Sequence, residues 1–177
     1  MRKFVLGLSN ALDTLARSVA VAAVAGMFVT VMIQVIARYG FASPPVWTED
    51  VARYMMVWTG LLGATLSFKT RSDAVLMTSV FPARPHWLGL LAEAIHSAAV
   101  LTFVLPVVYF CFVGLRGGFA RGYLARQAAL TMDTLGIAMV WVASVVPIAM
   151  IIILIHLAAR WAEVPAPAQA EPQTSLD

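Results

Sequence analysis

The chain has 177 residues, 61% of them hydrophobic and only 12% charged, with a formal net charge of +3 and a mean hydropathy of +0.85. A soluble domain carries about a quarter charged residues, so this composition excludes an ordinary soluble enzyme and specifies a membrane protein. The small positive charge excludes a nucleic-acid patch and suits a membrane surface instead, while the single cysteine, Cys111, excludes disulfide and thiolate-metal frameworks.

Crossing a bilayer takes roughly 20 predominantly apolar residues. Four segments qualify, at about 15–39, 51–68, 88–115 and 134–159. The expected fold is therefore an all-α integral membrane protein. It has an amphipathic N-terminal arm over 1–16, a four-helix transmembrane domain over 17–160 and a disordered tail over 161–177.

The arm begins with Arg2 and Lys3 before an apolar stretch, as a signal peptide would. Asn10, Asp13 and Arg17 interrupt that stretch, which argues against cleavage. Phe4, Leu8, Leu12, Leu15 and Val19 share one helical stripe, with Lys3, Asn10, Asp13, Thr14 and Arg17 elsewhere. That pattern predicts a helix lying in the membrane interface before the chain turns inward; a frayed cytoplasmic lead is the alternative. The first span then offers Ala22, Gly26, Thr30 and Gln34 at intervals of four. Such spacing lets helix backbones approach closely, within the bundle or against another membrane protein.

Pro44 and Pro45 stop any helix from running through the first loop, and Thr48 is placed to cap the next one. Glu49 and Asp50 then fall in its first turn, where the helix dipole favours carboxylates. Arg53 lies four residues after Glu49 and three after Asp50, so it can pair with either. Arg38, ending the first span, reaches the same layer, and Arg38, Glu49, Asp50 and Arg53 read as a balanced four-charge cluster. Its purpose is either a polar clamp, internal or to a partner subunit, or plain neutralisation of helix-end charges. Trp47, Tyr54 and Trp58 fall along one stripe beside it, Trp47 at the depth of the interfacial aromatic belt. Gly60, Ala64 and Ser67 share the face of Arg53, again as a small-residue seam.

Pro106 in the third span and Pro147 in the fourth should each kink its helix. The third loop carries Arg116, Arg121 and Arg126 among glycines. On the periplasmic side it could attract a soluble partner, or it could anchor to lipid head groups. The tail from Pro165 is rich in proline and alanine and polar enough to stay disordered.

Lysine and arginine counts set the orientation. Arg2, Lys3, Arg17, Lys69, Arg71, Arg84 and Arg160 lie on one side, against Arg38, Arg53, Arg116, Arg121 and Arg126 on the other. Seven against five predicts that both termini are cytoplasmic. No internal repeat is visible, so the inverted symmetry of a self-sufficient transporter is not expected.

Gln34, Val35, Arg38 and Tyr39, followed by Trp47, Glu49, Arg53, Tyr54, Trp58 and Gly63, resemble the small membrane subunit of TRAP transporters, the tripartite ATP-independent periplasmic transporters with a DctQ-like component. The stretch at 135–150, with Pro147, is similar to that family's last span, and the resemblance covers roughly 29–155. It breaks after the second span. Relatives tend to show a Gly-His-Ile-x-Val-Asp run there, and this chain reads RSDAVLMTSV, so no role of that His or Asp carries over. The resemblance implies a scaffold subunit of the bacterial inner membrane that binds a large permease subunit. A periplasmic solute-binding protein would deliver a small solute, often an organic acid, for sodium-coupled uptake. It implies no cofactor and no catalytic residue.

Three other readings are weighed beside it. His96 and His156 should both lie toward the cytoplasmic side of antiparallel spans, where facing histidines could ligate a haem. Glu93 and His96 form one Glu-x-x-His pair, but a di-iron bundle needs two. A stand-alone small multidrug-type transporter needs an acid in its first span, and 19–36 holds none.

Overall fold

The computed structural model describes residues 2–70, 87–115, 117–132 and 134–162, and every regular element among them is helical. The first, α1, runs from Arg2–Gly40 without a break. The predicted arm is thus helical but continuous with the first span, and the expected turn between them does not occur. The stretch Ala16-Arg17-Ser18 contains neither proline nor glycine, so nothing there stops a helix already under way. Thr14, Ser18 and Thr30 return their hydroxyls to the carbonyls of Asn10, Thr14 and Gly26, each one turn earlier. At 39 residues α1 is about 58 Å long, well beyond a hydrocarbon core of about 30 Å.

Ala42 takes a left-handed conformation (φ 51°) as the chain leaves α1, and Pro44-Pro45 leads into α2, Trp47–Thr70. The third helix, α3, spans Trp87–Phe112 with Pro106 inside it. After it the chain folds back sharply through Gly117 and Gly118, both at positive φ. A Cβ on Gly122 would collide with the carbonyl of Phe112. A 3-10 turn at Phe119–Arg121 and the short helix α4, Tyr123–Ala128, complete this reversal.

The last span was expected from 134, but 130–132 and 137–139 pair with each other in a tight hairpin. Met132 N–H bonds to Ile137 O at 2.9 Å and Met139 N–H to Leu130 O at 2.8 Å. Gly136 supplies the positive φ that this turn requires (64°) and that a helix forbids. Helix begins only with α5, Val140–Ala143, and resumes as α6, Val145–Ala162. The interruption at Ser144 follows from Pro147, whose ring crowds the carbonyl of Ala143 and offers it no N–H. In consequence Pro147 sits in the first turn of α6, where a missing donor costs least, rather than kinking a helix at its middle.

Three described stretches are long and apolar enough to cross a membrane: α1, α3 and the combined Val140–Ala162. The fourth long helix, α2, is diluted by Glu49, Asp50, Arg53 and Lys69. Together α1, α2 and α6 make the core. Ala16 and Ala20 of α1, Leu62 of α2, and Val145 and Ile152 of α6 form one buried cluster, flanked by Leu12, Val19, Trp58 and Leu66. Alanines on α1 let the other two helices approach closely, so dispersion substitutes for a hydrophobic drive that lipid does not supply. In contrast α3 leans chiefly on α6, with Ser97 meeting Trp161 at 2.9 Å.

Candidate partner interface

At the start of α2, Thr48 is fully buried but is not an N-cap. It lies inside the helix, and its hydroxyl donates to the carbonyl of Pro45 at 2.7 Å, closing the Pro-Pro turn. The carboxylates stand where the sequence placed them, in the first turn. Arg53 Nη2 meets Glu49 Oε1 at 2.9 Å, and Nη1 meets Asp50 Oδ1 at 3.6 Å. These helical spacings are fixed by the 3.6-residue period alone. Both Arg53 and Glu49 are more than half exposed, so the pair by itself contributes no more than about 0.5 kcal/mol.

The four-charge cluster loses one member and gains another. Arg38 is exposed and makes no ion pair among the described residues; it sits in the last turn of α1, where a cation suits the negative end of the dipole. In its place Thr134, from the 130–139 hairpin, donates to Asp50 Oδ2 at 2.7 Å. Thr134 was not singled out from the sequence, because 84 residues separate it from Asp50.

Around this group α2 presents two unlike faces. Tyr54, Met55 and Trp58 turn toward α1, where with Val51, Val19, Ala22 and Ala23 they line an apolar groove of about 390 Å³. The small-residue seam of α1 is used up here. Gly26 leaves room for Met55, whose sulfur would lie 2.8 Å from any Cβ added to that glycine, and Thr30 is buried. On the opposite side Arg53, Met56, Val57, Gly60 and Ala64 are all exposed, and a Cβ on Gly60 would meet nothing within 4 Å. Hence Gly26 and Thr30 of the α1 seam serve internal packing, whereas Gly60 and Ala64 of the α2 seam stay exposed among the described residues. Gln34 is half-buried, whereas Tyr39 and Trp47 lie exposed near the same end.

Arg121 and Arg126 are exposed on the 3-10 turn and on α4. Arg116 lies outside the described residues, as do 71–86 and most of the tail. At the other end of the bundle is a second polar layer that the sequence did not announce. Asp13 pairs with Lys69 at 3.2 Å, Ser9 Oγ approaches His156 Nδ1 at 2.8 Å, and Glu93 pairs with Arg160 at 2.6 Å. His96 stacks on Phe68 and reaches Arg160. The two histidines of the haem reading thus have separate protein partners, His156 on α1 and His96 on α6. Among the described residues no three His, Cys, Asp or Glu side chains gather as a metal site would require. What the site offers is small residues, aromatic rings and a charge pair, the chemistry of helix association.

The family of tripartite ATP-independent periplasmic transporters, DctQ component, matches residues 27–165, which reaches all four long helices. The chain belongs to the DctQ family. Within it, a Haemophilus influenzae protein with the provisional name TRAP transporter small permease protein is 37% identical over 68 residues. That stretch is 38% of this chain and 40% of the relative, so less than half of either is aligned. As a DctQ component the chain is a membrane-located part of a transport system. The matched region opens at Met27, so the N-terminal part of α1 stands outside it.

Proposed function

We propose that this chain is the small scaffold subunit of a TRAP-type secondary transporter in a bacterial inner membrane. It supports a large permease subunit during sodium-coupled uptake of a small solute such as an organic acid, delivered by a periplasmic solute-binding protein. The observation that carries this reading is the family match across all four long helices. The chain itself is not an enzyme and takes no cofactor in this role.

On this reading α2 is the fourth span. Its 54–68 stretch carries no charge, and it packs in the same core as α1 and α6. Both termini face the cytoplasm, in keeping with seven lysines and arginines at that end against five at the other. The face of α2 with Arg53, Met56, Val57, Gly60 and Ala64 is the one offered to the large subunit. Arg121 and Arg126 face the periplasm and the binding protein.

Purification of the tagged chain from its native membrane in a mild detergent tests the proposal. A much larger polytopic protein should accompany it, and uptake should fail in cells lacking the small chain. Recovery as a monomer or self-oligomer, with transport intact in its absence, would sink the reading.

A further inference from the structure

The N-terminal third of α1 is held to the bundle by polar contacts beside Leu12, with Phe4, Leu8 and Leu15 of its apolar stripe turned away. Phe4 and Leu15 are 74% and 61% exposed, whereas Ser9 and Ala16 are buried. On the buried side Ser9 Oγ lies 2.8 Å from His156 Nδ1 of α6. One turn on, Asp13 Oδ2 pairs with Lys69 Nζ of α2 at 3.2 Å, with Arg17 Nη2 at 3.9 Å from the same oxygen. The Lys69 ammonium also donates to Asn10 Oδ1 at 3.0 Å. Each contact uses one atom of its group. The remaining atoms, His156 Nε2 and Asp13 Oδ1, are both buried and meet no protein donor or acceptor among the described residues. His156 as a whole is only 3% exposed.

Buried polar atoms in native proteins are met by a hydrogen bond, and where protein supplies none an ordered water does. Ser9 and Asp13 are four residues apart on one helix, so they share a face and stand one above the other. We propose that one buried water bridges Asp13 Oδ1 and His156 Nε2, with the Lys69 ammonium as its third partner, and that this hydrated knot fastens the start of α1 to α6. The ligand class follows from the donor set. An ionised carboxylate only accepts, and the imidazole nitrogen donates or accepts according to tautomer; water alone answers both roles at once. A metal ion finds two ligands at most here and an ammonium beside them. The inference stands apart from the transport reading, since it concerns how the chain holds itself together.

Hydroxyl-radical footprinting of the full chain in lipid nanodiscs, read by mass spectrometry, tests it. Radicals made from a bound water label the side chain that holds it. His156 should be oxidised despite its burial, as the exposed His96 is, while Leu157, buried beside it, stays unlabelled. Asp13→Leu should suppress His156 labelling, and Asp13→Asn, which keeps an acceptor oxygen, should retain it. A wild-type protein in which His96 reacts and His156 does not overturns the site, with no variant required. Equal labelling of His156 and Leu157 also overturns it, because that is the signature of helix opening rather than a held water.

Discussion

Gly26 and Gly60 show how one residue type serves opposite ends. Gly26 is closed in by the thioether of Met55, and Gly60 faces open space. Gly26→Leu should therefore lower the thermal midpoint of the purified subunit, by an overpacking cost of about 1–3 kcal/mol. Gly60→Leu should leave that midpoint nearly unchanged and reduce the large subunit recovered with the chain; tryptophan-fluorescence melting and quantitative co-purification separate the two effects. Arg53→Ala belongs to the same comparison. Its ion pairs are exposed, so the variant should express and fold while losing the large subunit. Loss of expression instead would make the cluster internal glue. The pairing of Arg53 with Glu49 and Asp50 was legible in the sequence, because helical spacing alone determines it. Arg38 and Thr134 were not: whether either joins the cluster depends on where the end of α1 and the 130–139 hairpin come to rest.

At the scale of elements, most helices begin and end where local chemistry says they must. Pro44-Pro45 separates α1 from α2, and Gly117-Gly118 reverses the chain after α3. The two departures have local causes whose strength the apolar pattern hides. Hydropathy extends the last span back to 134, but Gly136 at positive φ and Pro147 push the helical start to Val140 and split it at Ser144. Conversely, the polar residues of the N-terminal arm suggest a turn, but polarity does not break a helix, and 8–25 holds neither proline nor glycine. Hydrogen–deuterium exchange in nanodiscs should show continuous slow amides from Leu12 to Val35. A fast-exchanging window at 16–18 would restore the hinged arm.

At the scale of the whole molecule, two polar layers cap a three-helix core with α3 laid against its side. The layer with Glu49, Asp50, Arg53 and Thr134 also carries the exposed Arg121 and Arg126. Under the proposed topology these two arginines face the binding protein. Charge reversal at both, Arg121→Glu with Arg126→Glu, should weaken binding-protein-dependent uptake several-fold at low salt, with the difference from wild type shrinking as ionic strength rises, while assembly with the large subunit is spared. Uptake unchanged in proteoliposomes would count against a docking role and favour lipid anchoring.

The sequence by itself determined the class of protein, the helical segments near their true places, the acidic first turn of α2 and the family. All of these are local or compositional: helix period, proline and glycine stops, the cost of charge in lipid, and a run of matching residues. Only the tertiary structure decided which seams are spent and which remain open. It brought Asp13 to Lys69, Ser9 to His156 and Asp50 to Thr134, across separations that no periodicity encodes. The reason is physical. In a membrane bundle nearly every face is apolar, so hydropathy cannot tell the inside from the outside, and small differences in helix-to-helix fit make the choice.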